Sequence, residues 1–309
     1  MHPIFIRIGN GGLPTYGMAM AAGFLAAVLL GVRTARRQGV SVERVLDLSF
    51  WLLVASLLGS RLTFVALHAG EYLRLCTDGA PDRSGWQALS DCTRSLHIWE
   101  GGYVFFGGFV LSTAVTVWYT LRHRMSFPRL ADLILPPLAL GHFFGRLGCF
   151  AAGCCYGKPT PWAVGVAFPR GSLAHLELTR AGRLAPTALA TMPLHPTQLY
   201  EALLELGVFV VLTLRNAHKR YHGQLLVTYL ALYPAGRLLI ELFRGDPDRG
   251  HLLRLSTPTL NGWLGLPPGD SILLTLTQCA ALCGLALAPA LHRVFRAHTP
   301  AEKNDQCTS

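Results

Sequence analysis

Apolar residues gather along this chain in seven long blocks, at about 15–32, 45–67, 101–121, 130–150, 197–214, 224–243 and 271–291, each near the 20 or so residues that a helix needs to cross a bilayer. Between the blocks the polar residues alternate in kind. Short turns carry Arg33, Arg36 and Arg37, then Arg122, Arg124 and Arg129, then Arg215, Lys219 and Arg220, and finally Arg293, Arg296 and Lys303. Longer segments at about 68–100, 151–196 and 244–270 carry prolines and more dilute charge. Placing the basic turns in the cytoplasm puts the N-terminus outside and the C-terminus inside. The pattern predicts an all-α polytopic membrane protein of about seven transmembrane helices, N-out and C-in. It forms a single integral membrane domain over residues 1–309. Residues 68–100 and 244–270 are its exterior loops, 151–196 an exterior arm or head, and 292–309 a cytoplasmic tail.

Composition agrees. The chain is 51% hydrophobic and only 14% charged, too apolar for a soluble domain. Its formal charge of +10 is what cytoplasmic turns require, and no basic tract is interleaved with aromatics, so no nucleic-acid partner is expected. Met1–Pro14 lacks the apolar core and small-residue cleavage site of a signal peptide, which leaves the first helix as the insertion signal.

Three arginines fall inside predicted spans: Arg61, Arg146 and Arg237. Asp47, Asp132, Glu201, Glu205 and Glu241 lie in or at the edges of the same spans. Arg237 and Glu241 have the i,i+4 spacing of one helix face, and Arg61 is expected to pair structurally with Asp47 or an interior carbonyl. Burying charge costs several kcal/mol even when it is paired, so a polar cavity opening toward the outer leaflet accounts for these groups together.

The stretch Gly141–Pro161, GHFFGRLGCFAAGCCYGKPTP, ends an apolar run with Arg146 and continues through Gly148, Gly153 and Gly157 to Pro159 and Pro161. Glycines here permit close backbone approach and turns with positive φ. Cys149, Cys154 and Cys155 have a C-x4-C-C spacing that matches no common zinc pattern, with or without His142 or His195, so no metal is expected and the thiols read as packing residues. Cys279 and Cys283 read the same way, whereas Cys76 and Cys92 share an exterior loop where a disulfide is permitted.

The stretch GRLGCFAAGCCYGKPT resembles the signature region of the bacterial prolipoprotein diacylglyceryl transferase family, usually Gly-Arg-x-Gly-Asn-Phe. His195-Pro-Thr-Gln-Leu-Tyr-Glu201 is similar to its HPSQLYE segment. Gly236–Arg244 with Asp246-Pro-Asp248 resembles its R-x-x-x-E-x-x-R-x-P-D segment, and Tyr16-Gly17 and Trp99-Glu-Gly-Gly102 resemble two further pieces. The resemblance implies an enzyme of the bacterial inner membrane, active toward the outer leaflet and without a cofactor. It would move the diacylglyceryl group of phosphatidylglycerol onto the lipobox cysteine thiol of a preprolipoprotein signal peptide, forming a thioether and releasing glycerol 1-phosphate. Arg146 and Arg237 would hold the lipid phosphate, through the paired hydrogen bonds that suit guanidinium to phosphate. Tyr16, Gly148, Cys149, Gly157, His195, Gln198, Tyr200, Glu201, Tyr233, Glu241 and Arg244 would line the substrate site, with membrane lipids around it.

The chain departs from the family at Phe106, where the proposed general-base histidine usually stands, and at Cys149, which replaces the signature asparagine. His142, one turn before Arg146, is either the substitute base or a helix histidine packed among aromatics and bonded to a carbonyl. The alternative to a transferase is a relative that binds lipid or signal peptide without transferring.

Overall fold

A computed structural model describes residues 4–8, 11–77, 93, 102–245, 251–255, 259, 262 and 272–297. Nine helices carry most of the described chain. They are α1 (Thr15–Arg37), α2 (Val42–Leu67), α3 (Ala69–Thr77), α4 (Phe105–Arg122), α5 (Phe127–Ala152), α6 (Leu173–Arg180), α7 (Thr197–Asn216), α8 (Gln224–Glu241) and α9 (Leu276–Ala297). Each of the seven apolar blocks contains one long helix, as a polytopic membrane protein requires. Two short antiparallel ribbons add to the helices, pairing β1 (Ile4–Ile8) with β2 (Gly11–Pro14) and β3 (His251–Leu255) with β4 (Ile272–Thr275). Five helices, α1, α2, α5, α7 and α9, are long and apolar enough to cross a membrane. Helices α4 and α8 have 18 residues each, slightly below the length that spans a bilayer without adjustment. The Cys76–Cys92 pair, the loop segments 78–92 and 94–101, Asp246–Asp248 and the tail from 298 lie outside the described residues or side chains.

The chain divides into two compact units, residues 35–127 and residues 1–34 with 128–309. In the first, small residues let α2 and α4 meet at backbone distance. A Cβ on Gly108 would stand 2.8 Å from the Ser56 carbonyl oxygen, and one on Gly59 would stand 2.8 Å from Leu111 Cβ. Arg61 is buried, donates to the Gly102 carbonyl at 3.3 Å and the Tyr72 hydroxyl at 3.4 Å, and lies over the Phe64 ring. The interior carbonyl expected as its partner is that of Gly102.

In the second unit, α1 lies along α5 through the signature glycines. A Cβ on Gly148 would sit 3.1 Å from Ala19 Cβ and 3.2 Å from Tyr16 Cδ2. Helix α8 packs between α7 and α9. An apolar core of Ala131, Leu135 and Ala139 from α5, Val208 and Leu212 from α7, and Leu225 from α8 ties these helices together. Asp132, fully buried, accepts from the backbone amides of Gly223 and Leu225 at 2.9 Å each and faces Lys219 at 3.4 Å. It therefore caps the start of α8 rather than answering an intramembrane arginine.

The segment from 151 to 196 folds as a small head with its own core of Tyr156, Phe168, Ala174, Leu178 and Leu194. Isolated bridges join Pro159 to Leu194, Val166 to Leu194 and Pro169 to Ala190, and α6 packs on them, its N-terminus capped by the Ser172 hydroxyl. Phe168 is fully buried while Trp162 is exposed, so only the latter is free for an interfacial role.

Candidate active site

The site begins with two helices meeting at Glu201. This carboxylate, 1% exposed, sits in the first turns of α7, held there after the Pro196 turn. From α5, Arg146 Nη2 reaches Glu201 Oε1 at 2.8 Å; from α8, Arg237 Nε lies 3.7 Å from the same oxygen and the Tyr233 hydroxyl donates to it at 3.1 Å. One carboxylate oxygen thus collects two cations and a hydroxyl. Arg237 is further held by Glu241, one turn on, with Nη2–Oε2 2.7 Å, and Glu241 accepts from the Thr275 hydroxyl at 3.1 Å. The i,i+4 pair read from the sequence is formed.

A second relay runs alongside. Arg146 Nε donates to His142 Nε2 at 3.2 Å, and His142 Nδ1 lies 2.5 Å from Glu205 Oε1, which also accepts from the Tyr229 hydroxyl at 3.4 Å. Arginine Nε can only donate, so His142 Nε2 accepts and the neutral ring carries its proton on Nδ1. The expected carbonyl partner of His142 is replaced by the Glu205 carboxylate. Glu205 and Tyr229 stand one helical turn from Glu201 and Tyr233; that repeat was the signal in the sequence that could have placed both in the site.

The remaining residues are set by a backbone clasp. Residues 156–158 are bonded on one side to 195 and on the other to 243–245: Gly157 N to His195 O at 2.9 Å, Lys158 N to Phe243 O at 2.8 Å, and Gly245 N to Tyr156 O at 3.1 Å. A side chain at 157 has no room, since its Cβ would stand 2.5 Å from His195 Cβ. The clasp brings Arg244 alongside Gly157 in an isolated bridge. His195 is fully buried among Trp162, Tyr200 and Phe243; its Nδ1 is 3.1 Å from the Tyr200 hydroxyl and its Nε2 has no partner among the described residues. Burial, then the charge of Lys158, lowers its pKa from the usual 6.5, keeping it neutral.

Helix α5 ends in a Schellman turn at Gly153, whose φ is +75°: Cys154 N bonds Cys149 O at 3.2 Å and Gly153 N bonds Phe150 O at 3.3 Å. The next residue, Cys155, has φ +57°, unusual outside glycine. The Thr197 hydroxyl and Gln198 Nε2 clamp the carbonyls of Cys155 and Cys154 at 2.7 and 2.6 Å. The three thiols are free, and all three sulfurs lie within 4.8 Å of one another, a convergence beyond ordinary packing.

Every site residue expected from the sequence therefore lies in one unit. Arg146, Arg237, Glu201, His142, Tyr233 and Glu241 are directly connected; Tyr16 and Gly148 meet at the α1–α5 contact; and Gly157, His195, Gln198, Tyr200 and Arg244 belong to the clasp and its neighbours.

The family model for prolipoprotein diacylglyceryl transferase matches residues 3–283. Three relatives carry the name phosphatidylglycerol–prolipoprotein diacylglyceryl transferase. One from Clostridium tetani is 28% identical over 260 residues, covering 83% of this chain and 90% of its own. One from Geobacter sulfurreducens is 32% identical over 251 residues, 80% and 83% of the two chains, and one from Stenotrophomonas maltophilia is 31% identical over 274 residues, 86% and 87%. With the signature helix, the clasp and the paired arginines in place, the chain belongs to the prolipoprotein diacylglyceryl transferase family.

Proposed function

We propose that this protein transfers the diacylglyceryl group of phosphatidylglycerol to the lipobox cysteine thiol of preprolipoproteins in the bacterial inner membrane, at a site facing the outer leaflet. The bond formed is sulfur to the terminal glyceryl carbon, the bond broken is that carbon to phosphate oxygen, and glycerol 1-phosphate leaves with the electron pair. The convergence of Arg146 and Arg237 on Glu201 is the observation that carries this reading. Arg237 Nη1 is buried without a partner among the described residues, a donor suited to a phosphate oxygen. Donors already aimed at the phosphate stabilise charge as it grows there, and cost no reorganisation at the moment of reaction. Glu201 and Glu241 hold the two guanidinium planes, while Glu205 acts through His142 to orient Arg146. Tyr16, Gly148, Cys149, Gly157, His195, Gln198, Tyr200, Tyr233 and Arg244 shape the surrounding substrate site.

The test is incubation of the purified protein with phosphatidylglycerol and a lipobox peptide, followed by peptide mass. A diacylglyceryl adduct is expected. Binding of both without an adduct would establish instead the lipid- or signal-peptide-binding relative that Phe106 favours.

A further inference from the structure

The cluster of three sulfurs beside Arg146 has no part in the phosphate-binding reading, and its geometry is that of a site. In a Schellman turn the residue three from the helix end and the second residue beyond it come into contact, usually as two apolar side chains. Here those positions are Cys149 and Cys154, and the left-handed backbone of Cys155 folds a third sulfur back onto the pair. The turn is clamped from α7 by Thr197 and Gln198, so the thiols are preorganised rather than gathered by chance. Cys149 is nearly buried and Cys154 and Cys155 are half-buried, which leaves one side open.

Zinc–sulfur bonds of about 2.3 Å place tetrahedral sulfurs about 3.8 Å apart. Three sulfurs within 4.8 Å reach that spacing by side-chain rotation of about 1 Å on a fixed backbone. Three thiolates and one divalent ion sum to a single negative charge, and Arg146 and Arg244 both lie within electrostatic reach of Cys155. The local field therefore favours the loaded site.

We propose that Cys149, Cys154 and Cys155 bind a zinc ion whose fourth position takes the thiol of the acceptor peptide. This rests on the transferase reading above and deepens it. Catalytic zinc sites keep three protein ligands and one open position, and a thiol that ligates zinc is deprotonated outright. Such activation has a use in this chain, because residue 106 is a phenylalanine, which cannot take a proton, and His142 Nε2 is occupied by Arg146. The acceptor S–H releases its proton to solvent on ligation. Its sulfur lone pair then forms the S–C bond, as the C–O bond breaks onto the phosphate held by the arginines. No oxidant or reductant takes part.

Full-length protein in detergent, reduced and stripped with a chelator, is titrated with cobalt(II) as a coloured substitute for zinc. About one equivalent per chain and a near-ultraviolet sulfur-to-cobalt charge-transfer band are expected, both lost in Cys149→Ser and Cys155→Ser. Lipobox peptide should then shift the visible cobalt bands, and its Cys→Ser analogue should not. Because a variant can fail to fold, the wild type carries an independent arm: stripping should lower transfer at least about tenfold, and zinc should restore it. Absence of stoichiometric cobalt binding, a disulfide among the three cysteines in protein purified without reductant, or full transfer by the stripped enzyme would each overturn the site while leaving the transferase standing. Cobalt bands unmoved by peptide would overturn the fourth-ligand role. Zinc-loaded protein that forms the cobalt site but never yields an adduct would instead remove the transferase reading.

Discussion

Glu201 shows how much one buried carboxylate organises at the scale of a residue. Its Oε1 answers Arg146 at 2.8 Å and Tyr233 at 3.1 Å, with Arg237 at 3.7 Å; Glu201 and Arg237 are buried, and Arg146 and Tyr233 are partly so. Taking away one partner of a buried pair leaves the other charge uncompensated, at about 3–5 kcal/mol. Glu201→Ala should therefore lower the melting temperature in detergent sharply and abolish transfer, whereas Glu201→Gln keeps the acceptor for Tyr233 and should lose less stability. Equal melting of wild type and Glu201→Ala would mean that the ion pairs contribute nothing net. His195 supplies a second test at this scale. Its pKa is lowered in the folded state, so below the unfolded value of 6.5 the unfolded chain binds the proton and the folded one resists it. The neutral-state advantage is complete above that value and shrinks as pH falls through it. Melting between pH 7 and pH 5 should fall further for wild type than for His195→Asn, and parallel curves would refute the assignment. The sequence alone made Arg146, Arg237 and Glu241 legible, because charge in an apolar block is conspicuous and the last two are spaced by one turn. It did not reveal which acid Arg146 faces, since Glu201 approaches from another helix and no local spacing encodes that contact.

Among the helices, glycine decides how closely α1 and α5 lie. Gly148 and Gly207 are both helical, yet only the first faces a neighbour: its Cβ would meet Ala19 and Tyr16 at 3.1 and 3.2 Å, while nothing lies within 4 Å of the second. Gly148→Ala should push α1 and Tyr16 aside and cost about 1–3 kcal/mol, with a loss of transfer. Gly207→Ala should be neutral or stabilise by up to about 1 kcal/mol, through its better helix propensity. Comparing the two melting temperatures and the two transfer rates separates packing from propensity, and indistinguishable variants would remove the close-approach argument. Apolar block length located all seven long helices, because a membrane helix announces itself by composition. The head at 151–196 was legible only as a segment too long to be a connector. Its core of Tyr156, Phe168 and Leu194 joins residues far apart in sequence through isolated bridges, which leave no periodic trace. The thiol cluster escaped for a related reason: zinc spacing rules describe contiguous ligand loops, whereas Cys154 and Cys155 converge on Cys149 through a helix cap and a residue with positive φ.

For the whole molecule, the distribution of exposed apolar side chains fits lipid rather than water around the helices. Leu29, Phe50, Leu62, Val110, Leu203 and Leu287 are each more than half exposed, on five different helices that a soluble protein would not leave bare. The arrangement that places every basic turn inside requires all seven long helices to cross, including α4 and α8, which have only 18 residues. A helix of that length rises about 27 Å, against about 30 Å of hydrocarbon, a mismatch that local thinning, or snorkelling of Arg122 at the end of α4, absorbs at small cost. Were α4 not to cross, the turns after α2 and after α4 would share a side, and Arg124 and Arg129 would move outside against the charge rule. Reporter fusions decide this. A periplasm-dependent phosphatase should be active when joined at Glu71 or Gly245 and inactive when joined at His123 or Tyr221, with a cytoplasm-dependent fluorescent reporter giving the converse. Reporters on the two ends of α4 that give the same answer would remove that span and turn α5 and everything after it over, whereas the same result across α8 would turn over only the segment after it and α9. A non-crossing α4 would put the head and its thiol cluster in a different compartment, so the fusions at Glu71 and His123 also test whether the proposed zinc site meets an acceptor peptide arriving from the outer face.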